Sequence, residues 1–136
     1  MAKRRLTNWI DAFDKYTSGL PSPDIFRKWG GILAIAGALE RKVWITSNYG
    51  QLFPNMYCVF VAPAGVGKTV ITKTVRQFWA QLDDHHTAPA SVSKASLVDA
   101  LRDAERKGVV TNGAGQGGFG QFHFNSLKIL ANELGV

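Results

Sequence analysis

The feature that most constrains this chain is an apolar run followed at once by a glycine-rich turn. Residues Met56 to Ala62, MYCVFVA, are too few for a helix and do not alternate, which is typical of a parallel strand buried on both faces. Beyond the glycines, apolar residues recur at helical spacing from about Gly67 to Leu82. The order of strand, glycine turn and helix predicts an α/β fold with a parallel sheet.

The turn itself, APAGVGKT from Ala62 to Thr69, fits the phosphate-binding spacing G-x-x-x-x-G-K-[ST], except that Ala62 stands at the first glycine position. Glycine lets the backbone approach phosphates closely, and the start of the following helix adds positive potential. The sequence predicts that Lys68 reaches the β- and γ-phosphates and that the Thr69 hydroxyl binds Mg²⁺. The predicted nucleotide-binding residues are Ala64, Gly65, Val66, Gly67, Lys68, Thr69 and Val70. The alternative is a glycine-rich turn with an incidental lysine.

The N-terminal third, residues 1–48, is predicted to be helical, and residues 49–136 are predicted to form the nucleotide-binding core. One amphipathic helix is expected at residues 6–18 and a second from Pro23 to about Val43, with Ser22 as its cap. Three glycines in the second helix each cost about 1 kcal/mol relative to alanine, so they indicate that another element packs closely there. These glycines are Gly30, Gly31 and Gly37.

The C-terminal half contains weaker patterns. A short strand is predicted around Thr87 to Ala90, and Ser93 is placed to cap a helix that ends at Gly108. The inner face of that helix is predicted to comprise Leu97, Val98, Leu101 and Ala104. The glycine-rich stretch that follows indicates a mobile loop or the tip of a hairpin with arms VVT and FGQFHF. Residues 127–131 are predicted to form a buried strand.

The composition favours a polyanionic partner. Sixteen Lys and Arg residues against ten Asp and Glu residues give a formal net charge of +6, and nucleic acid is the leading candidate. The single cysteine, Cys58, permits no intramolecular disulfide and indicates a reducing compartment, with the side chain buried. The longest apolar stretch covers about half a membrane span, so no membrane segment and a cytoplasmic location are expected.

An acidic group beside the phosphate-binding turn would be needed for hydrolysis. In LKILANE, Asn132 and Glu133 follow a predicted strand, so Asn132 is a candidate Mg²⁺ contact and Glu133 a candidate catalytic base, together with Lys68. The alternative is an exposed polar pair after a core strand or in a closing helix.

Other polar clusters are less specific. DDHH, Asp83 to His86, lacks a second ligand pair at metal-binding spacing and is better explained as a solvated connection. His123, between two phenylalanines, is predicted to be a partly buried structural histidine. The basic N-terminus MAKRR is equally compatible with phosphate contacts and with a solvated terminus.

The segments PNMYCVFVAPAGVGKTVITKTV, APASVSKASLVDAL and FNSLKILANELGV together resemble the P-loop ATPase core of phage and prophage primase/helicase proteins. The resemblance covers residues 20 to 136 and is strongest at the glycine turn. It implies a RecA/AAA+-like P-loop NTPase fold with a partial parallel sheet, ATP with Mg²⁺, ring-shaped homo-oligomers and single-stranded DNA. It places Lys68 and Thr69 at the nucleotide-binding positions and Glu133 at the catalytic acid.

The chain departs from that family at its end, three residues after Glu133, where further strands, a sensor residue and an arginine finger are expected. A fragment or remnant is therefore expected. Two functions follow as hypotheses: the ATPase domain of a DNA replication helicase, or a non-catalytic partner that joins a full-length ATPase or a viral assembly. A P-loop kinase or transport ATPase is a third, for which no substrate-specific signature is present.

Overall fold

A computed structural model describes residues 7–83, 85–89, 93–111 and 119–131. In chain order, the described helices and strands are α1 (Trp9–Tyr16), α2 (Asp24–Leu39), β1 (Ile45–Ser47), β2 (Gly50–Leu52), α3 (Lys68–Trp79), α4 (Lys94–Asp103), β3 (Glu105–Thr111) and β4 (Phe119–Asn125). The described residues up to Asp83 belong to one compact unit, and those from 85 to 131 belong to a second.

Helix α2 lies against both other helices of the first unit, and its glycines make this possible. A Cβ atom at Gly30 would lie 2.5 Å from Ile71 Cγ2 of α3, and one at Gly31 would lie 3.2 Å from the Phe13 ring of α1. At Gly37, the same atom would collide with the Trp79 ring, with 2.5 Å to its Cε2 atom. The prediction of close packing at these glycines is therefore confirmed.

Two indole rings bond directly to the α2 backbone. Trp9 Nε1 donates a hydrogen bond to the Gly31 carbonyl at 3.0 Å, and Trp79 Nε1 donates one to the Ala34 carbonyl, also at 3.0 Å. Trp79 is buried and Trp9 is half-buried, and in both the polar N–H is satisfied, as large amphipathic rings require. These bonds tie both α1 and α3 to α2, and the aromatic rings of α1 also contact Phe78 of α3.

Arg27 holds the start of α2 in place. Its guanidinium pairs with Asp14 of α1 at 3.0 Å and with Asp24 at 2.8 Å, and it donates to the Ser22 carbonyl at 2.9 Å. The side chain is almost fully buried, so these three acceptors supply the charge and hydrogen-bond partners that burial demands. The α1–α2 connector, residues 17–23, is thereby tied to both helices.

The predicted α/β fold with a RecA/AAA+-like partial parallel sheet is wrong. Within the described ranges both sheets are antiparallel pairs, β1 with β2 and β3 with β4, and the parallel pairing consists of one isolated bridge between Thr87 and Lys128. A parallel strand obtains its hydrogen bonds from segments far away in sequence. The segments that could have paired with Met56–Ala62 do not do so: β3 and β4 pair with each other, and residues 127–131 contribute only the bridge at Lys128.

The run Met56–Ala62 consequently forms neither a strand nor a core element. Tyr57, Val59 and Val61 are exposed, and Cys58, predicted to be buried, is exposed as well. The segment contacts α2 through Phe60, whose ring stacks on Phe26 with 4.7 Å between centroids. A continuous apolar run shows only that a segment is apolar enough to be buried. It does not show whether partner strands are present to pair with it.

The predicted helices are present, with altered ends. Helices α1, α2 and α3 are each shorter than predicted, and α2 begins after Pro23 without a side-chain cap, so Ser22 does not cap it. Ser93 caps α4 as predicted, in a capping box with Ser96. The hairpin is confirmed, although β3 already begins at Glu105 and contains Gly108, the predicted helix stop. Of the predicted inner face of this helix, Ala104 is buried, whereas Val98 and Leu101 are exposed.

Among the described residues, none of the helices has the length and apolar character needed to cross a membrane.

Replacing Gly37 by alanine is expected to destabilise the first unit. The alanine gains about 1 kcal/mol of helix propensity, but its methyl group collides with the Trp79 ring, and such overpacking costs about 1–3 kcal/mol. Gly19→Ala is the matched control, because nothing lies within 4 Å of a Cβ at that position. Urea denaturation of both variants measures the difference. A Gly37→Ala variant as stable as Gly19→Ala would contradict the close packing.

Candidate functional site

The loop from Ala62 to Thr69, called here the glycine loop, owes its shape to two glycines. Gly65 has a φ of +82° and Gly67 a φ of +81°, both in the left-handed region. Residues with a Cβ rarely adopt this conformation, whereas glycine does so readily. Gly67 is also the residue immediately before α3, so the chain turns sharply from an extended segment into the helix.

The amides of this loop are available to a ligand. Within the described residues, the backbone N–H groups from Ala64 to Thr69 donate no hydrogen bond, and the first donor of α3 is Val70, to the Gly67 carbonyl at 3.2 Å. Unbonded N–H groups at the start of a helix, together with the helix dipole, favour an anion. The glycine loop therefore has the backbone chemistry of a phosphate-binding turn.

The Lys68 side chain bonds back to the first residues of the glycine loop. Its ammonium group donates to the carbonyl of Ala62 and, at 3.0 Å, to that of Pro63. An ammonium group has three donors, so one remains for a ligand oxygen, and the other two hold the positive charge next to the free amides. This arrangement brings together the lysine and the backbone groups that the sequence predicted to act on one phosphate chain.

The predicted metal-binding residues are only partly described. Thr69 is exposed at the beginning of α3, and within the described part of the chain its hydroxyl has no hydrogen-bond partner, so it can supply one oxygen ligand to Mg²⁺. Asn132 and Glu133 lie outside the described residues. Among the residues that are described, no cluster of three or more His, Cys, Asp or Glu side chains forms a metal site.

The α1–α2 connector is a neighbour of the glycine loop that the sequence did not indicate. A Cβ at Gly67 would lie 2.7 Å from the carbonyl carbon of Pro21 and 3.1 Å from the Cα of Ser22. The residues around Gly67 do not predict this contact, because the contact joins two segments that are far apart in the sequence. A glycine is therefore required at position 67 for two reasons: the backbone has a positive φ there, and a side chain would have no space.

The remaining polar candidates lie elsewhere. His123, predicted to be partly buried, is exposed and pairs with Glu105 across the hairpin, with Nδ1 and Oε1 2.5 Å apart. Cys58 lies in an open groove of about 450 Å³ beside α2, where partial desolvation raises the pKa of its thiol. Neither residue belongs to the glycine loop.

Comparison of the chain with protein-family models, with curated proteins and with solved structures found no match.

The two glycines of the loop are expected to differ in their sensitivity to alanine. Gly65→Ala should cost about 1–2 kcal/mol, the penalty for a left-handed residue with a side chain, because nothing lies within 4 Å of its Cβ position. Gly67→Ala carries the same penalty plus displacement of the Pro21 and Ser22 backbone, at least about 1 kcal/mol more. Denaturant midpoints of the two variants measure this order, and equal losses would contradict the contact.

Proposed function

We propose that the glycine loop binds the phosphate groups of a nucleotide, with ATP as the ligand. The observation that supports this most directly is the set of unbonded N–H groups from Ala64 to Thr69 around a turn held by Gly65 and Gly67. Such a turn offers several donors and the positive end of a helix to one anion. Binding of this kind depends on the loop and α3 and needs no parallel sheet.

Each loop residue then has a role. The amides from Ala64 to Thr69, together with Val70 at the first turn of α3, surround the terminal phosphates, and the Lys68 ammonium turns its third donor toward a phosphate oxygen. The Thr69 hydroxyl and Asn132 are the proposed Mg²⁺ contacts. The metal supplies charge neutralisation of the phosphate oxygens when bound.

The wider proposal is that the chain belongs to a phage-type DNA replication ATPase, in which hydrolysis is coupled to movement on single-stranded DNA. It is supported by the resemblance described above and by the net charge of +6, and it assigns Glu133 as the proposed catalytic base. Ring assembly with copies of this chain, or association with a full-length ATPase, is part of the same proposal.

A second candidate is a non-catalytic nucleotide-binding partner in a phage or mobile-element assembly. One observation favours it: the described part of the chain lacks the parallel sheet that, in the implied family, brings a catalytic acid to the phosphate-binding turn. The glycine loop is intact without that sheet, so nucleotide binding without hydrolysis suits the described structure.

Lys68→Ala is expected to weaken ATP binding about tenfold or more, because it removes a charge-assisted hydrogen bond to phosphate. Lys73→Ala is the matched control, since Lys73 is an exposed lysine on the same helix. The ATP affinity of this variant should stay within about twofold of that of the unaltered chain. Isothermal titration with ATP and Mg²⁺ measures both. Equal affinity in the Lys68→Ala variant would remove the proposed phosphate contact.

Turnover separates the two candidate functions. If Glu133 is the base, Glu133→Gln should reduce DNA-stimulated ATP hydrolysis by about a hundredfold or more while ATP affinity is retained, because general-base catalysis contributes 10²- to 10⁴-fold. Phosphate release with and without single-stranded DNA is the measurement. Intact ATP binding without turnover in the unaltered chain would contradict the ATPase and support the non-catalytic partner.

A further inference from the structure

The β1–β2 hairpin presents two aromatic rings to solvent. Tyr49 lies in the turn between β1 and β2 and is 100% exposed, and Trp44, immediately before β1, is 53% exposed. Within the described residues, neither side chain makes a hydrogen bond or a ring contact. An exposed ring is unfavourable in water, because it can bury about 150–250 Å² against a partner. The Tyr49 ring in particular has no role in the packing of the first unit.

The backbone of the hairpin is held in place at both ends. In the turn, the Ser47 hydroxyl donates to the Gly50 carbonyl at 3.0 Å and accepts from the Tyr49 N–H at 3.2 Å. At the base, the Arg41 guanidinium lies 4.1 Å from the centre of the Phe53 ring, which joins the residues before and after the hairpin. An aromatic side chain has few rotatable bonds, so a ring on a fixed backbone loses little conformational freedom when a ligand stacks on it.

The charge of the sequence from the hairpin to α3 favours an anionic partner. Between positions 41 and 82 the chain contains neither Asp nor Glu, and its basic residues there are Arg41, Lys42, Lys68, Lys73 and Arg76. Lys42 is exposed and lies two positions before Trp44. A ligand with flat rings and a negative charge on each unit would satisfy the aromatic and the basic groups together. Single-stranded nucleic acid has this chemistry, whereas the base faces of a duplex are already stacked on one another.

We infer that the β1–β2 hairpin binds single-stranded DNA, with unpaired bases stacked on Tyr49 and Trp44 and a phosphate bound by the Lys42 ammonium. The role of the hairpin rests on the DNA partner in the proposed function and adds the surface that makes the contact. It is independent of nucleotide binding by the glycine loop. Because every base has a flat face, the hairpin should bind with little sequence preference.

Tyr49→Ala tests the stacking contact. Affinity for a labelled oligothymidylate, measured by fluorescence anisotropy, should fall about fivefold or more, which is the loss that follows removal of one base–aromatic stack. Tyr49→Phe keeps the ring and should bind as the unaltered chain does. Because the Tyr49 ring is fully exposed, neither substitution should change the urea midpoint. A similar loss is expected for Trp44→Ala, with Trp44→Phe as the variant that keeps a ring.

Tyr57→Ala is the matched control for Tyr49→Ala. Tyr57 is equally exposed, but it lines the groove beside Ile25 and Trp29 in the first half of α2, and its loss should leave DNA affinity unchanged. A loss as large as that of Tyr49→Ala would overturn the assignment to the hairpin. The duplex of oligothymidylate with oligoadenylate gives a second comparison. A loss confined to the single strand supports base stacking, whereas an equal loss for the duplex overturns it.

Lys42→Gln tests the phosphate contact through the salt dependence of binding. For single strands, each phosphate contact contributes about 0.7 to the slope of log affinity against log salt concentration, so the slope should become shallower by about that amount. Lys28→Gln is the matched control, because Lys28 is an exposed lysine of α2 outside the hairpin, and its slope should equal that of the unaltered chain. An unchanged slope in Lys42→Gln would overturn the contact of Lys42 with phosphate.

The same titrations separate the role of the hairpin from the proposed function. If the unaltered chain does not bind the oligothymidylate, the proposed DNA partner fails and the role of the hairpin fails with it. If the unaltered chain binds the oligothymidylate and Tyr49→Ala and Trp44→Ala bind it equally well, only the role of the hairpin is overturned.

Discussion

The close approach of α2 to α1 and α3 is the interaction on which the first unit depends. Gly30, Gly31 and Gly37 leave the space that the side chains of Phe13, Ile71 and Trp79 fill, and two indole N–H groups bond to α2 carbonyls across these contacts. Glycine in a helix is unfavourable by itself, so the packing must outweigh the lost propensity. Because α3 is fixed to α2 in this way, the turn that precedes α3 has a rigid foundation.

The glycine loop is thus held from two directions. Ile71 and Val75, both fully buried, anchor α3 below the loop, and the backbone of Pro21 and Ser22 packs against Gly67 from the side. Arg27 joins these supports, because it bonds to the Ser22 carbonyl and to Asp14. A loop whose neighbours are fixed in the free protein loses less entropy on binding than a mobile one.

The sequence predicted the features that depend on neighbouring residues and missed those that depend on distant ones. The glycine loop, the start of α3, the Ser93 cap and the close packing of α2 follow from residue types within a few positions of one another. The strand at Met56–Ala62 was predicted from its apolar run alone, whereas a strand also needs partners, and in the described structure Tyr57 and Val61 are exposed. The contact of Ser22 with Gly67 and the pair of His123 with Glu105 likewise join residues from separate segments. Capping by Ser22 was wrong because Pro23 precedes the first turn and the hydroxyl does not reach an α2 amide.

Several hydrogen-bond donors without a protein acceptor lie at the N-terminal end of α3. The amides from Ala64 to Thr69 and the third donor of the Lys68 ammonium lack a protein acceptor within the described residues. Donors outnumber acceptors there, and the nearby helix dipole has the same sign, so a neutral or cationic ligand would leave most of them unsatisfied. An anion with several oxygens satisfies them together. If the proposed anion binds the folded chain and not the unfolded one, it also stabilises the helix packing that holds the loop, and the glycine face of α2 is then linked to occupancy of the site.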